Sequence, residues 1–178
     1  MDISVENIKI EITRGDITNQ DDISAIVSAA NAQLMTGGGV AGAIHRAAGP
    51  LLEEACQPLA PIKPGQAVIT EAFNLPNQYV IHTLGPVYGK DQPEDKLLSE
   101  CYLNSLRIAE ENDIESVAFP AISTGAFGYP IEEAATTTIK AIKSVTGSMK
   151  KVRLIKIVLF GAKDHEVFTR KLTEIFET

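Results

Sequence analysis

Residues 33–50 read QLMTGGGVAGAIHRAAGP, with three consecutive glycines near the start of the stretch. Glycine loses more backbone freedom on folding than any other residue, so such a run marks a sharp turn or a close main-chain approach. Gly37-Gly38-Gly39-Val40-Ala41-Gly42 satisfies G-x-G-x-x-G, the pattern of a loop that cradles a dinucleotide pyrophosphate. That chemistry needs the glycines directly after a strand and an acid about 20 positions on. Here the preceding apolar run ends near Ala30, and the region beyond reads LAPIKPGQ, without an acid. No Gly-Lys-Ser/Thr follows, so the P-loop pattern fails as well. A second loop, PAISTGAFGYP over 120–130, carries Ser123, Thr124, Gly125 and Gly128. It is not a nucleophile elbow, because Ala121 stands where G-x-S-x-G requires its first glycine. Two readings stay open. Either these are polar turns, or they present bare amides to linked phosphates from opposite sides, which needs no lysine or arginine.

Other reactive side chains are few. Cys56 and Cys101 lie 45 positions apart and form no CxxC pair, so neither a disulfide scaffold nor a structural zinc site is expected. His45, His82 and His165 also lack metal-ligand spacing. His82 sits in an apolar strand and reads as buried structure. His45, early in a helix, is either a core or surface contact or a ligand contact at the mouth of a site.

The elements that must position these loops alternate in type. ISVENIKIEITRG reads as one strand with Ile8, Ile10 and Ile12 on one face, and SAIVSAAN as a short buried strand. VAGAIHRAAGPLLEEACQPL has helical composition, broken near Gly49-Pro50. QAVITEAF and YVIHTLG read as strands joined by NLPNQ. Residues 94–112 carry a helical stripe of Leu98, Cys101, Tyr102, Ser105 and Ala109. SVAFPAI is a buried strand, IEEAATTTIKAIKSV a helix with an acidic first turn, and RLIKIVLF a last strand. Asp164 is expected to cap a terminal helix, HEVFTRKLTEIF. The alternation implies an α/β fold with a largely parallel sheet covered on both faces, which binds ligands beyond the carboxyl ends of its strands.

A chain of 178 residues, 44% hydrophobic and 22% charged, is expected to fold as one domain over 1–178. Its net charge of −7 argues against broad nucleic-acid or anionic-membrane binding but not against a small anionic ligand. No apolar run approaches the ~18 residues of a membrane span. The start lacks the basic and apolar regions of a secretory signal, so the cytoplasm is the expected compartment.

GDIT (15–18), IVSAAN (26–31), GGGVAGAIHRAAGP (37–50), YVIHTLGPV (79–87) and VAFPAISTGAFGYP (117–130) stand in the order and spacing of the macro domain family. The chain most resembles its bacterial MacroD-type branch. The resemblance covers nearly its whole length. It implies a three-layer α/β/α domain with a mixed, mostly parallel six-stranded sheet, and a cleft for ADP-ribose. It also implies removal of mono-ADP-ribose from acidic side chains and deacetylation of O-acetyl-ADP-ribose, with mono-ADP-ribosylated proteins as partners and no cofactor or metal. On this resemblance Asp16 selects adenine, its carboxylate accepting from the exocyclic amine, beside Ile17. Asp16 also suits a turn cap, and both roles can hold. Phe160 matches an aromatic that packs on adenine, or else belongs to the core. Asn31 matches the asparagine at the distal ribose, though a strand-end asparagine also forms turns. Gly38, Gly39 and Val40 would line the distal ribose and phosphate, while Ser123, Thr124, Gly125, Ala126 and Phe127 would wrap the diphosphate.

The pattern departs at two places. MacroD-type loops usually read G-G-G-V-D-G, the aspartate being their proposed catalytic residue, where this chain has Ala41. The first asparagine of V-N-A-A-N is Ser28. Other family members with a G-G-G-V-A loop, coronaviral ones included, still hydrolyse ADP-ribosyl esters. For these the usual proposal is a water placed by asparagine and loop, with the ligand's phosphate taking its proton. Asn31 would then be the catalytic positioning group. The expectation is thus a slow hydrolase of ADP-ribosyl esters or, in its place, a reader that binds ADP-ribose without turnover. Hydrolysis of a different small nucleotide, such as ADP-ribose 1″-phosphate, is a third reading.

Overall fold

Seven strands form one sheet in the computed structural model, which describes residues 1–177. They are β1 (Asp2–Val5), β2 (Ile8–Arg14), β3 (Ala25–Ala29), β4 (Ala67–Glu71), β5 (Tyr79–Thr83), β6 (Ser116–Phe119) and β7 (Leu154–Leu159). Their spatial order is β1-β2-β7-β6-β3-β5-β4. Strands β2, β7, β6, β3 and β5 are mutually parallel, and only the edge strands β1 and β4 pair antiparallel with their neighbours.

The sheet has one strand more than the expected six, because the opening stretch is a hairpin and not a single strand. The chain reverses at Glu6, whose φ is 55°, so that Val5 faces Ile8. No glycine marks this turn, and β1 buries no residue fully, as an edge strand with a solvated face allows.

Helices α1 (Gly39–Ala48) and α2 (Pro50–Cys56) cover one face, and α3 (Glu94–Glu111), α4 (Ile131–Val145) and α5 (Ala162–Phe176) the other. Central strands therefore read as continuous apolar runs. In β3, Ala25 and Val27 enter the core beneath α3–α5, while Ile26 enters the one beneath α1 and α2. The break expected near Gly49-Pro50 divides α1 from α2: Gly49 has φ 89°, and Pro50 begins the second helix, where its missing N–H costs nothing.

One expected cap is not made. Helix α5 starts at Ala162, with Gly161 at the capping position and no side-chain cap; Asp164 lies inside the first turn. There its carboxylate interacts with the helix dipole and satisfies no terminal amide.

Because the five parallel strands share a direction, the segments that follow them leave from one edge of the sheet. Those segments contain Asp16 after β2, Asn31 after β3, Gly85 after β5, the 120–130 loop after β6 and Phe160 after β7.

Candidate functional site

Two hollows of about 420 and 330 Å³ open along this edge and share Gly39, Val40, Ala121 and Gly125. They form one cleft, pinched where the glycine loop faces the 120–130 loop. The first lobe is lined by Asp16, Ile17, Thr124, Phe160 and Asp164 among others, and the second by Asn31, Gly38, Ala41, Gly85, Ser123, Ala126 and Phe127. Every residue that the family resemblance assigns to the ligand lines one lobe or the other, whereas His45, the further candidate for a ligand contact, lines neither. Sequence reasoning did not place Gly85, Ala43, Ile122 or Asp164 at the cleft. Gly85 had a readable signal, a glycine at a strand exit. A side chain there would collide with Ser123 Oγ and come within 2.6 Å of Ile122 Cγ2.

The glycines divide their labour. Gly37 has φ 58°, and a Cβ there would lie 2.8 Å from Asn31 Nδ2, so this glycine serves packing. Gly38 and Gly39 face open space at the cleft. Gly39, Val40 and Ala41 form the first turn of α1, so their N–H groups have no intrahelical acceptor.

Across the waist, buried Tyr102 underpins the 120–130 loop. Its hydroxyl donates to Pro120 O and accepts from the Ile122 amide, each at 3.2 Å. Thr124 Oγ1 donates to Ala121 O at 2.7 Å, and the Tyr129 amide to Ser123 O at 2.9 Å. Ser123 is held at φ 68°, a conformation tolerated only where the surroundings enforce it. Among the described residues the amides of Gly125, Ala126 and Phe127 have no acceptor. The residues that carry the two sets of unpaired N–H groups line the waist and the second lobe, and among the described residues no lysine or arginine lines either lobe.

Asn31 is locked in both directions: Nδ2 donates to Met35 O at 2.9 Å, and Oδ1 accepts from the Met35 amide at 3.0 Å. One N–H and one lone pair of the amide remain available. Asp16 Oδ1 accepts from the Thr18 amide at 2.8 Å and from Thr18 Oγ1 at 2.7 Å, which holds its carboxyl below the usual range. It caps the turn and still offers its second oxygen. Phe160 is 88% exposed, so the core alternative is excluded and its ring stands at the rim of the first lobe.

A third hollow, of about 450 Å³, lies beside Tyr88 and Tyr129. Glu94, Asp95, Glu132 and Glu133 line it, which disfavours an anionic ligand.

His45, Cys56 and His82, scattered in sequence, come together beneath α1 and α2, with one donor atom of each within 4.8 Å of the others. These are the residues with which a metal could be held, against the expectation from spacing. His82 Nε2 contacts Thr70 Oγ1 at 2.9 Å; Cys56 Sγ lies 3.6 Å from His82 Nε2 and 4.0 Å from Nδ1, beside the ring and not on the axis of one nitrogen. Burial pushes the Cys56 thiol up to about 11 and His82 down to about 3, and lowers His45, so the cluster is neutral. None of the three lines the cleft.

A histidine kept neutral by folding takes up a proton on unfolding, so its contribution is intact above 6.5 and drains away as pH falls towards 3. Stability should therefore drop by about 3 kcal/mol between pH 7 and pH 4 on account of His82, at about 1.4 kcal/mol per unit. Urea melts at the two pH values, compared with those of His82→Gln, isolate that share. Parallel slopes for both proteins would contradict it.

A family model described as Macro domain matches residues 27–138. An O-acetyl-ADP-ribose deacetylase of Escherichia coli is 44% identical over 171 residues, covering 93% of this chain and 96% of that protein. The ADP-ribose glycohydrolase MACROD2 of Xenopus laevis is also 44% identical over 171 residues, with this chain spanning 41% of its length. A variant of the Oceanobacillus iheyensis macrodomain, solved with ADPR, superposes with a TM-score of 0.95 at 38% identity, over 100% of this chain and 99% of that one. With a parallel-edge cleft of this form and relatives of this closeness, the chain belongs to the macro domain family.

Proposed function

We propose that the cleft binds ADP-ribose and hydrolyses ADP-ribosyl esters, whether mono-ADP-ribosyl aspartate or glutamate or O-acetyl-ADP-ribose. One observation carries this reading: two loops whose amides are unpaired line opposite sides of a two-lobed cleft with no cationic side chain among the described residues. A ligand with a diphosphate between two bulkier ends fits that shape. Fixed amide donors bind it with little loss of entropy. Adenosine takes the lobe of Asp16, Ile17 and Phe160, and the distal ribose the lobe of Asn31. The names of the relatives support both the ligand and the reaction class.

In the hydrolytic step Asn31, through its remaining N–H and lone pair, and the glycine loop hold a water against the distal ribose ester. For an aspartyl or glutamyl ester the water oxygen bonds to the anomeric carbon of the distal ribose, the bond from that carbon to the ester oxygen breaks, and the carboxylate leaves. For O-acetyl-ADP-ribose the water oxygen bonds to the acetyl carbonyl carbon, the bond from that carbon to the ribose oxygen breaks, and the ribose oxygen leaves as a hydroxyl beside acetate. The water proton passes to a phosphate oxygen of the ligand. Among the described residues no carboxylate, histidine or other ionisable side chain lines the distal lobe, so the protein supplies no base there and turnover is slow.

A second reading is a reader that binds without turnover, favoured by Ala41 at the position where MacroD-type loops carry aspartate. Calorimetry with ADP-ribose and with AMP, beside release of ADP-ribose from a glutamate-linked substrate, separates the two. The hydrolase reading expects a clear preference for ADP-ribose, measurable release, and loss of release in Asn31→Ala. Tight binding with no release above background at high enzyme concentration selects the reader. Equal affinity for AMP and ADP-ribose overturns both.

A further inference from the structure

Lys156 lies in the middle of β7 and is only 8% exposed. A buried ammonium is costly unless it is paired and hydrogen-bonded. Its Nζ reaches Gln20 Oε1 at 3.0 Å and the two carboxylate oxygens of Asp22 at 3.2 and 3.1 Å. Gln20, also 8% exposed, donates in turn from Nε2 to Asp16 O at 2.8 Å. An ammonium can only donate, so the Gln20 oxygen must face it and the amide nitrogen must face Asp16. The Gln20 side chain lies directly beneath the turn, since a Cβ on Gly15 would come within 3.5 Å of its Nε2. Asn77 Nδ2 secures the far side of the segment, donating to Gln20 O and Ile23 O at 2.7 Å each.

We infer that Lys156 is a positioning residue for base recognition, setting the Asp16 turn through Gln20 so that the free carboxylate oxygen meets the exocyclic amine of adenine. The inference rests on the proposed reading of the Asp16 lobe and adds a residue that never touches the ligand. It also accounts for a charge in the interior of a parallel sheet, where β7 otherwise carries apolar residues. Asp22 serves chiefly to neutralise the lysine, because its own carboxylate is mostly exposed.

The test compares affinities for ADP-ribose and for inosine diphosphate ribose, whose keto oxygen stands where adenine carries its amine. Lys156→Met and Gln20→Met are each expected to narrow the parent's preference about tenfold, the scale of one hydrogen bond to a charged group. Asp22→Asn, which keeps the Gln20 link, should leave the preference within about twofold. A purely structural role would lower melting temperature and weaken both ligands alike, leaving their ratio unchanged. Where Lys156→Met fails to fold, Gln20→Met decides, as it buries no new charge. A parent without preference would remove the Asp16 reading itself. A discriminating parent whose folded Gln20→Met variant discriminates equally well would overturn the relay and leave that reading intact.

Discussion

Replacing Ala41 by aspartate is expected to speed ester hydrolysis by about 10²- to 10⁴-fold, the usual worth of a well-placed general base. Ala41 sits in the first turn of α1, is 4% exposed, and lines the distal lobe. The helix N-terminus favours a carboxylate there and keeps it ionised at neutral pH. The same charge repels the diphosphate at the waist, so ADP-ribose affinity should fall by up to about tenfold, or 1.4 kcal/mol. A higher single-turnover rate together with weaker binding is the expected signature. It would show that a competent water-holding lobe lacks only its base. A rate within threefold of the parent, in a folded Ala41→Asp protein with substrate saturating, would sink the idea that this lobe performs the chemistry.

The second large effect concerns binding. Gly125 borders both lobes, a Cβ on it would meet nothing within 4 Å, and its φ lies outside the left-handed region. Gly125→Val should therefore fold with its melting temperature nearly unchanged while placing a branched side chain at the waist. Affinity for ADP-ribose should fall at least about a hundredfold, roughly 2.7 kcal/mol, because the diphosphate loses its approach to the loop amides. Gly37→Val is the contrasting control. Its left-handed φ and the 2.8 Å approach to Asn31 Nδ2 make it a folding defect first. Thermal melts and calorimetry on the two variants separate blocked binding from lost structure. Undiminished affinity in Gly125→Val would remove the waist as the diphosphate site.

The chain alone showed where strands and helices alternate, since hydrophobic periodicity is a local property that each segment carries by itself. It also marked both glycine-bearing loops, because glycine spacing reports backbone demands at the same positions. It went wrong where the signal was weak or absent: Glu6 turns the chain without a glycine, which hid β1, and Asp164 resembles a cap although the helix begins two residues earlier. Phe160 could be read as core or as rim from its type, and only its place at the end of β7 exposes the ring. The meeting of two loops separated by some 85 residues needed the parallel sheet, whose shared strand direction delivers both to one edge. Other associations follow from side-chain direction across distant strands, which no spacing rule encodes. Lys156 finds Gln20 from 136 residues away, and His45 and Cys56 close on His82 through the packing of α1 against β3 and of α2 against β4, the two strands that flank β5. Sequence determined the local backbone and the types of residue available, while tertiary structure decided which polar groups are paired, which are buried neutral, and which amides remain free at the cleft.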